Sequence, residues 1–253
     1  MRAARIRILI AKELSEQARS YRLLVILALF GFFGLGSPLI AKFSPEAVKL
    51  ATAGAGVVIT IPAPTAQDAV AQFIKNLSQI VLLVLVLLAS GSVVAEKERG
   101  TLPFLLVRPL SRSALLLAKL VGFWIPVILG TLLSAAGCLL YTEVLFGAPS
   151  IALFARTALL VLLHLLTFVT TSLFWSSVAR SQAAAAVLSF LSWVLPASLG
   201  MLGRISDFLP GRLLSLAASP AGALPVWEPI AGSVALMAIS VAGAVAALRR
   251  WEP

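Results

Sequence analysis

A chain of 253 residues that is 60% hydrophobic and only 12% charged is excluded from the soluble globular class, in which about 25% of residues carry charge. With a mean hydropathy of +1.03 it reads as a polytopic membrane protein. The formal net charge of +10 would turn attention to nucleic acid in a soluble domain; here Lys and Arg are markers of topology, and no nucleic-acid partner is expected.

The first segment, residues 1–22, carries Ile6, Leu9, Ile10, Leu14, Ala18 and Tyr21 at three- and four-residue spacing, with Arg5, Lys12, Glu16 and Arg19 elsewhere on the wheel. This pattern predicts an amphipathic interfacial helix in the headgroup plane, its cations over anionic lipid. It is either a plain anchor or a lever joining the cytoplasmic surface to the first span. The apolar run that follows is too long for a signal-peptide core and lacks a small-residue cleavage site, so it is expected to stay as a helix.

Six apolar runs approach the ~20 residues needed to cross a bilayer core of ~30 Å: Leu23–Ala41, Leu77–Val94, Leu115–Leu140, Leu153–Val178, Ala183–Leu202 and Ile230–Leu248. Alternating ten-residue strands are lacking, so the expected fold class is all-α: a bundle of six transmembrane helices forming one unit over residues 1–253. Between the first two runs, Lys42–Lys75 is broken by Pro45, Pro62 and Pro64 and reads as a surface loop. Near its end Thr65-Ala66-Gln67-Asp68 fits a capping box, from which a helix can run without a break into the second span.

Residues 95–114 form a charged island, with no charge in Leu77–Val94 before it or in Leu120–Leu140 after it: Glu96-Lys97-Glu98-Arg99-Gly100-Thr101-Leu102-Pro103-Phe104-Leu105-Leu106-Val107-Arg108-Pro109-Leu110-Ser111-Arg112. Gly100 permits a sharp turn out of the second span. Thr101 can cap a short helix with Pro103 in its first turn, giving Leu102, Leu105 and Leu106 one apolar edge. Pro109 ends that helix, and Ser111 can cap the next. A short helix flanked by charge across the ends of two spans suits docking to a soluble partner.

Further on, the single Cys138 lies inside a span and is read as a packing residue. Pro126 and Pro196 interrupt the third and fifth runs and are expected to kink them. Glu143 and Arg156 stand near the outer ends of the third and fourth runs and read as a solvated pair or an exit rim. The single histidine, His164, is mid-span; no second metal ligand or Ser–His–Asp set accompanies it, and a neutral imidazole bonded to a neighbouring helix is expected. The connector Arg204–Val226 holds an apolar stretch between prolines and reads as half-buried interfacial or re-entrant helices. Trp227 and Trp251 flank the last run where aromatic belts sit, and Gly243 and Ala247 allow close helix contact there. Lys and Arg concentrate in the first tail, the island, the connector at Arg180 and the last tail, with fewer at Lys42, Lys49, Lys75, Arg156, Arg204 and Arg212. The positive-inside rule therefore places both termini and the island in the cytoplasm.

The pattern Glu96-x-Glu98-x-Gly100-Thr101-Leu102-x-x-Leu105-Leu106-x-x-Pro109-x-x-Arg112, followed by Lys119, resembles the cytoplasmic element of ABC-2 type transporter permeases. Ala11-Lys12-Glu13-Leu14 ahead of the first span also fits that family, especially the six-span subgroup resembling the permease of the nitrous-oxide-reductase maturation system. The resemblance implies a permease subunit of an ABC exporter in the cell inner membrane. It also implies pairing with a second copy or paralogue and driving by two ATPase subunits on the cytoplasmic face. Docking would then fall on Glu96, Glu98, Arg99, Gly100, Thr101, Leu102, Leu105, Arg108, Pro109 and Arg112. ATP and Mg belong to the ATPase; this chain has no G-x-x-x-x-G-K-[ST] loop and no cofactor, metal or catalytic residue of its own is expected. Two other readings stand beside it. One is an intramembrane enzyme, which needs converging catalytic groups that one histidine does not supply. The other is a non-transporting anchor or assembly factor, in which the island would look the same.

Overall fold

The computed structural model describes residues 2–52, 62–100, 112–198, 203–219 and 226–250. Among the described residues, eight α-helices account for nearly all of the structure: α1 (Arg2–Arg19), α2 (Arg22–Thr52), α3 (Ala66–Glu98), α4 (Arg112–Phe146), α5 (Ile151–Val178), α6 (Gln182–Ser198), α7 (Arg212–Ala218) and α8 (Trp227–Arg250). A 3₁₀ segment, Gly203–Phe208, precedes α7. Helices α2, α3, α4, α5 and α8 are each long and apolar enough to cross a bilayer. The fifth predicted run corresponds to α6, whose 17 described residues span ~26 Å at 1.5 Å per residue; residues 199–202 of that run lie outside the described chain.

Helix α5 is the axis of the bundle and touches α3, α4, α6, α7 and α8, while α2 packs on α4 and α3. Lipid is as apolar as leucine, so helices in a membrane are held by close packing and hydrogen bonds between them. Both are present. Trp124 Nε1 of α4 donates to Thr170 Oγ1 of α5 at 3.2 Å, and Asn76 Nδ2 of α3 donates to Ser37 Oγ of α2 at 2.9 Å. A Cβ on Gly243 of α8 would come within 2.7 Å of the Phe174 ring, so that glycine does permit close approach to α5. Cys138 is fully buried beside Thr142, as a packing residue would be.

The Thr65 start signal behaves as read. The Asp68 carboxylate accepts the Thr65 backbone N–H at 2.7 Å and its hydroxyl at 2.8 Å. The helix then continues to Glu98 through one π-helical turn at Leu77–Val81. The loop expected over Lys42–Lys75 begins later than its prolines indicated. Pro38 and Pro45 both lie inside α2, which runs to Thr52. Pro45 has no N–H for the Ala41 carbonyl, and the Ser44 hydroxyl supplies the missing donor at 3.0 Å. Pro126 and Pro196 likewise sit within α4 and α6, neither of which ends there. The half-buried connector takes the expected form: Leu213, Leu216 and Ala217 of α7 are buried against α5.

The stripe that α1 turns inward differs from the one drawn on the wheel. Leu9, Glu13 and Gln17 are buried, whereas Tyr21 is 71% exposed in a left-handed conformation (φ 59°) that turns the chain from α1 into α2. Apolar periodicity alone could not rank Glu13 above Ile10 or Leu14, because the cation that receives it is far away in sequence.

Candidate functional site

The charged island leaves α3 as three consecutive charges. On an α-helix successive residues point 100° apart, so Glu96, Lys97 and Glu98 must face three different neighbours. Each finds one. Glu96 Oε1 accepts from Lys119 Nζ of α4 at 2.7 Å. Lys97 Nζ donates to the Ser177 carbonyl at the end of α5. Glu98 Oε1 accepts the backbone N–H of Gln182, the first residue of α6, at 3.0 Å. The last two obey helix electrostatics, with a cation at a C-terminus and an anion at an N-terminus.

The packing beneath is equally specific. Ser176 Oγ of α5 accepts the backbone N–H groups of Val93 and Val94 at 2.9 and 3.1 Å, locking the last turns of α3 to α5. A Cβ on Gly91 would meet the Gln182 amide at 3.0 Å, so the small residue lets α3 approach the start of α6. At the far side of the island Arg112 opens α4. Its Nη1 donates to the Leu248 carbonyl and, at 2.9 Å, to the Arg249 carbonyl, capping the C-terminus of α8.

Lys119 is the centre of the cluster. It is 3% exposed and bridges two helices: besides Glu96 it binds Glu13 of α1, with 3.3 Å to Oε2 and 3.5 Å to Oε1. Outside the burial, Lys12 of α1 pairs with Glu16 at 3.2 Å. Burial alone would lower the Lys12 pKa, but Glu13 and Glu16 outweigh it and the net direction is upward. For Glu16 burial acts upward and the Lys12 bond and charge outweigh it, so its pKa is lowered.

Of the residues read as docking groups, Glu96, Glu98 and Arg112 therefore bond within the chain. Arg99 and Gly100 are exposed, and Gly100 holds the left-handed turn (φ 65°) expected of it. Thr101, Leu102, Leu105, Arg108 and Pro109 lie outside the described residues. Lys97, Ser176, Gln182 and Gln17 were not singled out by the sequence. For Lys97 a signal existed, since three adjacent helical charges cannot share one face.

His164 stands apart from this cluster. It is buried, with Nδ1–H donating to the Pro210 carbonyl at 3.0 Å and its ring edge-on to Phe168. It ties the turn before α7 to α5, so the expected bond goes to a turn rather than to a neighbouring helix. Pro210 O also accepts the Leu213 N–H, so His164→Leu should cost only the ~0.5–1.5 kcal/mol of one net hydrogen bond. A thermal melt in detergent checks this, and a large loss of partner binding or transport at unchanged melting temperature would refute the packing role. Arg156 does not pair with Glu143: its Nη1 donates to the Ser219 carbonyl at 3.2 Å, capping α7, while Glu143 is exposed. Beside it a cleft of about 330 Å³ opens at the bundle end opposite the charged cluster, walled by Val70, Ile74, Leu153 and Phe154.

Long apolar helices, fastened to one another at one end by charges placed on helix termini, define a multi-pass membrane protein. The family described as "ABC-2 family transporter protein" matches residues 7–205. The chain belongs to that family. It is 33% identical over 145 residues to a probable ABC transporter permease protein, NosY, of Pseudomonas aeruginosa. That match covers 57% of this chain and 44% of the relative, so the chain spans less than half the length of the curated relative it matches.

Proposed function

We propose that this chain is the permease half of an ATP-driven exporter, and that separate ATPase subunits dock on Glu96–Arg112. One observation carries the docking assignment beyond family membership. Both roots of the 101–111 segment are fastened to other helices: Glu96, Lys97 and Glu98 to α4, α5 and α6, and Arg112 to α8. A push on a segment rooted in this way moves the ends of the spans together, whereas a free loop would absorb it. Two ATPases, each with its own ATP and Mg, would engage a pair of permeases, the second being a copy or a paralogue. The basic end, with both termini, faces the cytoplasm of the cell inner membrane, as its Lys and Arg excess requires.

Exposed ion pairs contribute only ~0–1 kcal/mol each, so the apolar edge of Leu102, Leu105 and Leu106 supplies most of the docking affinity, with Arg99 giving orientation. The buried charges among the described residues, Glu13 and Lys119, sit at the basic end. The middle of the bundle carries neutral polar groups, which suits a hydrophobic or amphipathic cargo moving outward better than an ion or proton.

The test is a pull-down of tagged protein from its native membrane in mild detergent, with mass spectrometry of what is retained. Recovery of a P-loop ATPase, lost in Leu105→Asp while membrane insertion persists, is the expected result. A preparation free of ATPase, or an ATPase retained unchanged by Leu105→Asp, sinks the docking assignment.

A further inference from the structure

The cleft of about 330 Å³ between the starts of α3 and α5 and the end of α7 has no part in ATPase docking. Its depth in the membrane follows from the two long helices that wall it. The charges of Glu96, Lys97 and Glu98 fix one face of the hydrocarbon core, since charge inside that core is costly. Ile74 stands 24 residues before Glu98 on α3. Phe154 stands 24 residues before Val178, the end of α5, beside the bond from Lys97 to Ser177. At 1.5 Å per residue both lie ~36 Å from the charged face. A bilayer is ~30 Å thick in its hydrocarbon core and ~40–45 Å with its headgroups. The cleft therefore lies in the far headgroup layer, just beyond the lipid tails.

That level decides what can fill it. Within the core an exposed apolar side chain is already solvated by lipid. In the headgroup layer it meets water, and covering it is favourable. The floor of the cleft is apolar and buried at Ile74 and Phe154. Polar groups there are spent on the protein itself. Thr157 Oγ1 donates to the Leu153 and Ala217 carbonyls at 3.1 and 3.0 Å, and the Ser219 carbonyl accepts from Arg156. The rim is different: Gln67 and Ser150 are exposed, and the Ser150 hydroxyl caps no backbone N–H of α5. Among the described residues none that lines the cleft is charged, so an ion finds no counter-charge to hold it. The volume is at the small end of the ~300–1,000 Å³ of ligand pockets, and larger than the ~150 Å³ apolar cavity that takes benzene. A two-tailed lipid does not fit, because its tails lie below this level.

We propose that this cleft is a binding site for a small neutral amphiphile, about the size of a medium-chain alcohol. Its apolar body rests on Val70, Ile74 and Phe154, and its polar end meets Gln67 and Ser150. Neither the ATPase nor the direction of transport enters this site, which stands or falls apart from the docking reading. The probe is azioctanol, a neutral alcohol carrying a photoreactive diazirine. The full chain in lipid nanodiscs is irradiated with increasing probe, and adducts are located by peptide mass spectrometry.

The expected result is saturable labelling within Gln67–Ile74 and Ser150–Thr157, removed by excess octanol. Labelling at the exposed Val234 and Ile239 of α8 should instead rise in proportion to the probe. Ala71 and Ala218 are exposed on opposite walls of the cleft. Ala71→Trp or Ala218→Trp fills the space, and each should abolish the saturable labelling. Unchanged labelling of α8 reports that the bundle in that variant is intact. Cleft labelling that never saturates means that bilayer lipid or solvent already fills the space, and overturns the proposal. Saturable labelling that survives in both variants overturns it as well. Octanoate competing as well as octanol would reveal an anion site and overturn the neutral assignment.

Discussion

Lys119→Met is expected to lower stability by about 3–5 kcal/mol, the range seen when one partner of a buried ion pair is removed. Methionine matches the lysine in length and apolar volume, so the loss is electrostatic. Glu13 and Glu96, whose side chains are 9% and 13% exposed, would both lose the cation they share. Two buried carboxylates near each other cannot both stay ionised without cost. The corollary separates charge from shape: Glu13→Gln and Glu96→Gln added to Lys119→Met should restore most of the melting temperature, because neutral amides no longer repel. Apparent melting in detergent, followed by size-exclusion chromatography, reads both variants. A melting temperature for Lys119→Met equal to that of the parent protein would show that the cluster contributes nothing to the fold.

The parts of this cluster that sequence could reveal are those with a local signature. Apolar runs about as long as the bilayer core is thick marked the spans, and Thr65 with Asp68 marked where α3 begins, since a cap is decided within four residues. Gly100 marked the turn out of α3 because few other residues accept its φ. The extension of α2 through Pro45 was hidden, since proline ordinarily ends a helix and its rescue by the Ser44 hydroxyl depends on a rotamer. The inward face of α1 was hidden for a different reason. Glu13 becomes a core residue only because Lys119, over a hundred positions later, lies opposite it. Similarly Glu98 reads as a free surface charge until the first turn of α6 arrives beside it. Charge pairs between helices set no period in the sequence. A glutamate on an amphipathic wheel is assigned to solvent by default, and only the packing of α1 on α4 reverses that.

The same crossing geometry governs the second large effect. Gly34 of α2 lies against Ser134 of α4, and a Cβ on Gly34 would stand 2.7 Å from both the Cα and the carbonyl oxygen of Ser134. Those are backbone atoms of another span, so no rotamer change can make room. Gly130, one turn earlier on α4, is overlain by the Phe30 ring in the same way, and Phe30 is fully buried. Small residues at these positions bring the two backbones together, and in lipid that close contact is itself the source of helix association. Gly34→Leu is therefore expected to cost at least the upper end of the ~1–3 kcal/mol typical of overpacking, and to separate the α2 end of the bundle from α4. Gly36→Ala is the matched control. It lies two residues away on the same helix with nothing within 4 Å of its Cβ, and alanine is favoured over glycine inside a helix by roughly 0.5–1 kcal/mol. Its melting temperature should be unchanged or slightly raised. Thermal melts of the two variants in one detergent decide the matter: equal melting temperatures would mean that α2 and α4 are held together elsewhere. A melting loss confined to Gly34→Leu would place the contact that holds α2 on α4 at the Gly34–Ser134 crossing.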